Sequence, residues 1–170
     1  MAQQSAGMSF LSAFKETVRA VFADDPPDPV EVFRLVREHQ TGAVLEMLKS
    51  YPQSWHLRDE ADNSLLHWAA LGNSLDVVQA ALVAKVEVDC RGALAHGHQT
   101  PLMWAVSGNS TGAIRMLLDH HADPFARDAR GGHCLIRAVQ QSQREALDVL
   151  AERGGRALLT EGDANGCNAA

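Results

Sequence analysis

A chain of 170 residues, 46% of them apolar, is long enough for one domain with a substantial core and too apolar for disorder. Its formal net charge of −6, with no basic run, argues against a nucleic-acid surface, because phosphate binding needs a Lys/Arg-rich face. No apolar stretch approaches the roughly 20 residues of a membrane span and no basic-then-apolar start marks a secretory signal. The odd, scattered cysteines Cys90, Cys134 and Cys167 point to a reduced, cytoplasmic setting.

Residues 1–8 are small and polar and are expected to be disordered. Residues 9–28 read as a helix and a Pro-rich joint. Ser9 is a good N-cap, and Phe10, Leu11, Phe14, Val18, Val21 and Phe22 line one face opposite Lys15, Glu16 and Arg19. The plain reading is a capping helix over the first structural unit. A partner-binding or membrane-surface helix is the alternative, with too few cations for a strong lipid signal. Asp24-Asp25-Pro26-Pro27-Asp28-Pro29 is a stiff break. Asp28 can cap a new helix, with Pro29 in its first position and Glu31 completing a capping box.

From residue 29 the chain repeats itself. Helices are expected near 29–38 and 42–50, stopped by Tyr51-Pro52 and followed by a connection with turn-prone residues 59–63. Ser64 to Asn73 then starts a helix with Leu66, Ala69 and Ala70 at helical spacing, and Val77, Val78 and Ala81 continue into a second. After the long connection 89–99, Thr100-Pro101-Leu102-Met103-Trp104-Ala105 opens the next pair, whose second helix carries Ile114, Leu117 and Leu118. His133 to Val139, then Leu147 and Leu150, form a further copy, with Arg153-Gly154-Gly155-Arg156 read as a flexible turn. Gly108-Asn109 should end the first helix of the third pair, since both tolerate left-handed backbone. Asn73 and Asn109, and further on Lys85 and His121, stand where a helix stop usually prefers glycine. Residues 163–170 read as the start of a fifth copy, so the array is expected to continue beyond residue 170.

The anchors Glu31, Ser64, Thr100 and His133 follow one another at 33, 36 and 33 residues. A period of about 33 built as turn, helix, helix and headed by Thr-Pro-Leu-His-x-Ala is the ankyrin pattern. Here its parts are Thr100-Pro101-Leu102 and Leu66-His67-Trp68-Ala69-Ala70. The chain therefore resembles the ankyrin-repeat family over residues 29–170. That resemblance implies an all-α solenoid of about four helix-turn-helix repeats, with an N-terminal capping helix and a truncated last repeat.

Nothing in the pattern supports chemistry. His96 and His98, the pair His120-His121, and His133-Cys134 match no zinc spacing, so no metal site is expected. His67 is expected to bond to backbone of the adjacent connection. No Ser/His/Asp order, phosphate loop or activated cysteine emerges, so no catalytic residue, cofactor or small-molecule ligand is assigned.

Trp68 and Trp104 hold equivalent repeat positions, with Leu35 and Arg137 flanking them in one column of the first-helix layer. They are either core packing or an aromatic wall of a concave groove, since Trp and Arg are favoured binding anchors. The phrases Leu65-Leu66-His67-Trp68-Ala69-Ala70 and Thr100-Pro101-Leu102-Met103-Trp104-Ala105, with the lead-in Arg58 to Asn63, resemble the ankyrin domain of the Asp-His-His-Cys protein S-palmitoyltransferases. The resemblance implies a module on the cytosolic face of a membrane such as the Golgi, one that binds extended protein or peptide segments ahead of membrane-spanning helices and the acyltransferase domain. It implies that Trp104 is the peptide-binding tryptophan; that family's partnering Asn falls on Gly72, beside Asn73. The expected partner site is thus Trp68, Gly72, Asn73, Trp104 and Arg137, bounded by the long connection with His96 and His98. The alternative is a free-standing cytosolic scaffold with no attached enzyme. Either way the isolated chain is expected to be a monomer. It should transfer no palmitate from a coenzyme A thioester; acylation of a partner that survives replacement of all three cysteines would overturn this.

Overall fold

The computed structural model describes residues 27–160. The expected capping helix, apart from the end of its joint at Pro27 and Asp28, lies outside the described residues, as does the start of a fifth repeat at 163–170. Eight helices are present among the described residues: α1 (Pro29–Arg37), α2 (Thr41–Ser50), α3 (Leu65–Leu71), α4 (Leu75–Val83), α5 (Pro101–Ser107), α6 (Thr111–Asp119), α7 (Cys134–Gln140) and α8 (Arg144–Thr160). They form four pairs. The first helices α1, α3, α5 and α7 stack in one layer and the second helices α2, α4, α6 and α8 in another. Among the described residues there is no strand, only an isolated antiparallel bridge between Arg58 and Ser64.

Stacking follows from the sequence stripe. Leu66, Ala69, Leu102 and Ala105 are all fully buried, as are Val78, Ile114, Leu117 and Leu150 of the second layer. Small alanines let neighbouring first helices approach closely, and the leucines fill the space between pairs. Leu118 is only half-buried, and Ala113 takes its place on the buried face.

Helix starts follow the sequence signals with one change. Val30 N–H donates to Asp28 Oδ1 at 3.0 Å, and Pro29 occupies the first turn. Glu31, however, does not close a capping box; its carboxylate takes the Arg34 guanidinium instead, an exposed pair on the same helix face. Thr100 Oγ1 accepts from Met103 N–H, as an N-cap should.

The helix stops explain the asparagines. His39, Asn73, Asn109 and Ser142 each end a first helix at φ near +50°, and Lys85 and His121 do the same after second helices at φ 62° and 64°. Asn is not merely the next best residue for this backbone. Asn73 Oδ1 accepts from Ala113 N–H at 3.0 Å, and Asn109 Oδ1 accepts from Ala146 N–H at 3.3 Å. Each therefore caps the second helix of the following repeat, which glycine could not do. Gly108 behaves otherwise than expected. Its φ is −84°, and its role is close approach: a Cβ there would meet Leu71 O at 2.2 Å.

The last pair corrects the sequence reading. Arg153 to Arg156 are not a turn but lie within the 17 residues of α8. Glycine in a helix interior costs only about 1 kcal/mol relative to Ala. Upstream anchors offset that: Ala146, Val149 and Leu150 are buried, and Glu152 and Arg153 pair with Arg115 and Asp119 of α6.

Leu102→Ala should cost roughly 2–5 kcal/mol and spread to both neighbouring repeats, because a solenoid is coupled through its interfaces. Urea unfolding of wild type and variant checks this; a midpoint change worth under about 0.5 kcal/mol would contradict the burial of this face.

Candidate functional site

The connections between pairs project as fingers beside the first helices. Three of them carry an arginine in register: Arg58, Arg91 and Arg127. Arg58 donates to the carbonyls of Asp62 (2.8 Å) and Arg91 (2.7 Å). Arg91 donates to the carbonyls of His98 (3.0 Å) and Arg127. Arg127 donates to Gly131 O at 2.7 Å. Each of the first two cations thus ties its own finger to the next one. Side-chain bonds to carbonyls satisfy backbone groups that a short finger cannot pair internally.

The residue after each arginine sets the column of first-helix side chains. Asp59 carboxylate accepts from Ala61 N–H, from Asn63 N–H and Nδ2, and from Trp68 Nε1–H at 2.8 Å. Burial alone would raise the Asp59 pKa, but these hydrogen bonds together outweigh it and hold the carboxyl below its ordinary range. Asp128 repeats the arrangement. It accepts from Arg130 N–H and Gly132 N–H, and its carboxylate pairs with Arg137 at 2.9 Å. In both repeats the acid lies nine residues before its column residue.

The middle repeat breaks this rule. Gly92 occupies the place of the acid: its N–H bonds Gln99 O across the finger, as Asp59 bonds Asn63 O and Asp128 bonds Gly132 O. A Cβ at Gly92 would come 2.4 Å from Asn63 Oδ1, so no acid fits there without moving Asn63. Trp104 consequently has no carboxylate partner among the described residues. Among the described residues its Nε1–H has no hydrogen-bond acceptor.

Trp68 and Trp104 are both half-buried and meet edge to face, with centroids 5.1 Å apart and planes at 80°. The His67 ring meets Trp104 at 5.3 Å and 76° on another side. Arg37 lies 5.3 Å from the Trp68 centroid, a cation–π contact. The two indoles form a corner in an open cavity of about 760 Å³. Pro29, Val30, Phe33 and Arg37 of α1 make one wall, and the first finger, Arg58 to Ala61 with Asn63, makes another. From the long connection only His96 reaches the cavity.

Three of the residues expected from sequence, Trp68, Trp104 and His96, therefore line one space. Four do not. Gly72 lies at the far end of α3, where a Cβ would be 2.8 Å from His39 Cε1, and Asn73 Oδ1 is already engaged as a helix cap. His98 takes left-handed backbone (φ 53°) and offers its carbonyl to Arg91. Arg137 sits one repeat beyond Trp104, held by Asp128. The long connection contributes little because its extra residues coil into the short 3-10 turn Leu94–His96. Sequence reasoning missed Phe33, Arg37, Asp59 and Asn63. Asp59 was findable: Arg58-Asp59, Arg91-Gly92 and Arg127-Asp128 recur in the repeat register.

A buried polar cluster lies behind the corner. Ser64 N–H donates to His67 Nδ1 at 3.1 Å, which leaves the proton on Nε2 to donate to Gln99 O at 3.0 Å. His67 thus joins the start of α3 to the next finger, as its motif position suggested. Burial pushes its pKa down to about 4. Cys90 Sγ lies 3.2 Å from Ser64 Oγ, and burial raises its thiol pKa; burial pushes that of Cys134 up to about 12. A neutral imidazole beside a protonated, buried thiol is a packing cluster, not an activated nucleophile. Among the described residues no three His, Cys, Asp or Glu side chains gather as a metal site.

A family model described as ankyrin repeats (3 copies) matches residues 34–128 and again 66–161. The chain is 34% identical over 127 residues to palmitoyltransferase Hip14 of Drosophila melanogaster, covering 71% of this chain and 20% of that protein. It is 38% identical over 73 residues to palmitoyltransferase ZDHHC13 of Homo sapiens, covering 43% and 11%, and 35% identical over 77 residues to palmitoyltransferase AKR1 of Lachancea kluyveri, covering 45% and 10%. The chain spans a fifth of the first of these relatives, and about a tenth of the other two.

The His67 pKa predicts a pH dependence. The folded value is about 4 against 6.5 for an unperturbed imidazole, so between those values the unfolded chain binds a proton that the folded chain refuses. Stability from this group is intact above pH 6.5 and lost as pH falls toward 4, by about 3 kcal/mol in all. Urea midpoints at pH 7 and pH 4.5 for wild type and His67→Gln check it: the wild type should fall more steeply, and equal falls would contradict the buried neutral imidazole.

Proposed function

The chain belongs to the ankyrin-repeat family, whose arrays are protein-interaction domains, and on that premise we propose that its cavity receives an extended peptide segment and that the array recruits such segments to a protein S-palmitoyltransferase of which it is the cytosolic part. The observation that carries the peptide reading is the Trp68–Trp104 corner. Two flat indoles bury large area at low entropy cost. An incoming proline or branched apolar side chain can lie in the angle between them. Trp104 Nε1–H, without an acceptor among the described residues, offers a bond to a backbone carbonyl of the incoming segment. Trp68 needs no such partner, since Asp59 already fixes it. The acyltransferase reading is supported by the likeness over the repeats to three palmitoyltransferases.

Random-peptide display on the full chain, followed by fluorescence anisotropy with the strongest recovered peptide, tests the cavity. Trp104→Ala should weaken that peptide about 30-fold, equivalent to roughly 2 kcal/mol for a binding hot spot, with little change in melting temperature. Wild-type affinity in a folded variant rules the cavity out, and lost binding with a collapsed melting temperature assigns Trp104 to the core. The gene downstream of residue 170 tests the recruitment reading. Membrane-spanning segments and an Asp-His-His-Cys motif support it; further repeats alone make the domain a free-standing scaffold.

A further inference from the structure

Two arginines line the cavity, and their donors are in different states. Arg58 donates to the carbonyls of Asp62 and Arg91 and pairs with the Asp62 carboxylate at 3.6 Å. Arg37, on the α1 wall, is exposed, and among the described residues it pairs with no carboxylate and donates no side-chain hydrogen bond. Arg34, one turn earlier on the same helix, holds both Glu31 and Glu38. What Arg37 does touch is the Trp68 indole, 5.3 Å from its centroid. An aromatic face steadies a guanidinium without using up the N–H fork that binds a carboxylate. Arg37 is therefore held beside the indole corner with its donors open.

Neither acid of the cavity pairs with it. The Asp59 carboxylate is filled by donors from Ala61, Asn63 and Trp68. Glu60, on the same finger, is exposed and makes no ion pair among the described residues. The finger wall thus sets Arg58 against Asp59 and Glu60, and an incoming acid is favoured on the α1 side alone. Distance limits where that acid must sit in a ligand. The Trp68 centroid is 5.1 Å from that of Trp104, so the Arg37 guanidinium lies no more than about 10 Å from the second indole, the span of about three extended residues. A segment with an apolar side chain in the corner reaches Arg37 only with a carboxylate close to that side chain in sequence.

We propose that the cavity selects acidic segments: the ligand carries an Asp or Glu within about three residues of the apolar side chain in the Trp68–Trp104 corner, and that carboxylate pairs with Arg37. The inference rests on the reading of the cavity as a peptide site and adds to it the charge of the ligand.

Random-peptide display on the full chain supplies the probes. Peptides recovered by the wild type should be enriched in Asp or Glu near their apolar anchor. Peptides recovered by Arg37→Glu should carry Lys or Arg there, with the anchor kept. For the strongest wild-type peptide, replacing the acid by its amide should weaken binding in fluorescence anisotropy about fivefold, the scale of an exposed charge pair. The same replacement should cost nothing on Arg37→Gln. It should cost the full amount on Arg34→Gln, whose guanidinium is paired along the helix and does not line the cavity. Both arginines are exposed, so the melting temperatures of the two variants should match the wild type. An undiminished cost on Arg37→Gln overturns the inference. So does a cost that vanishes equally on Arg34→Gln, which marks a diffuse field rather than a pair. A wild-type pool without acids near the anchor, or enriched there in Lys or Arg, overturns it too, while Trp104→Ala still judges the cavity by itself. Recovery of no peptide by the wild type ends both readings.

Discussion

The structure depends on nearest-neighbour stacking of short amphipathic helices. None of the first helices α3, α5 and α7 exceeds seven residues, too short to persist alone in water. Each is held by the apolar stripe of its neighbours, Leu66 and Ala69 in one repeat and Leu102 and Ala105 in the next, all without solvent exposure. Stacking in register also dictates where the remaining face points. Trp68 and Trp104 lie one repeat apart at the same helix position, so burying the stripes brings the two indoles together at 5.1 Å. The cavity is a by-product of the core's geometry, and Phe33 belongs to both the core and the cavity wall.

Polar links between repeats reinforce this stacking where apolar contact ends. Asparagines that stop one helix cap another in the next repeat. Arginines on the fingers bind carbonyls one finger further on. His67 spans from the start of α3 to the Gln99 carbonyl. All three use a side chain to satisfy backbone groups that short helices and tight turns leave open. The same economy shapes the site. Asp59 organises its finger and orients Trp68 with one carboxylate, and Asp128 does so for Arg137. Gly92 interrupts that pattern because Asn63 occupies the space an acid would need, and among the described residues Trp104 is left with an unclaimed donor beside an apolar corner.

The sequence by itself determined the array. A period near 33 with helical spacing inside each unit fixed the helix pairs, and the ranges 29–38 and 42–50 became 29–37 and 41–50 in the structure. Cap and stop residues were legible because their chemistry is local: Asp28 and Thr100 accept from the first turn, and Asn73 and Asn109 adopt positive φ. The Trp68 and Trp104 phrases were legible as a palmitoyltransferase likeness, and the chain is 34% identical over 127 residues to palmitoyltransferase Hip14. Helix propensity misjudged Arg153 to Arg156, where contacts to α6 outweighed two glycines. Only the tertiary structure decided which residues share a cavity. Repeat position places Arg137 in the column of Trp68, but the stack carries it away from α1 while bringing Phe33, Arg37 and Asp59 close. A side chain's neighbours across repeats depend on how fingers fold and what each polar group has already bound. Contacts such as Arg37 on Trp68 and Trp68 on Trp104 join residues more than 30 apart, and no local pattern encodes them.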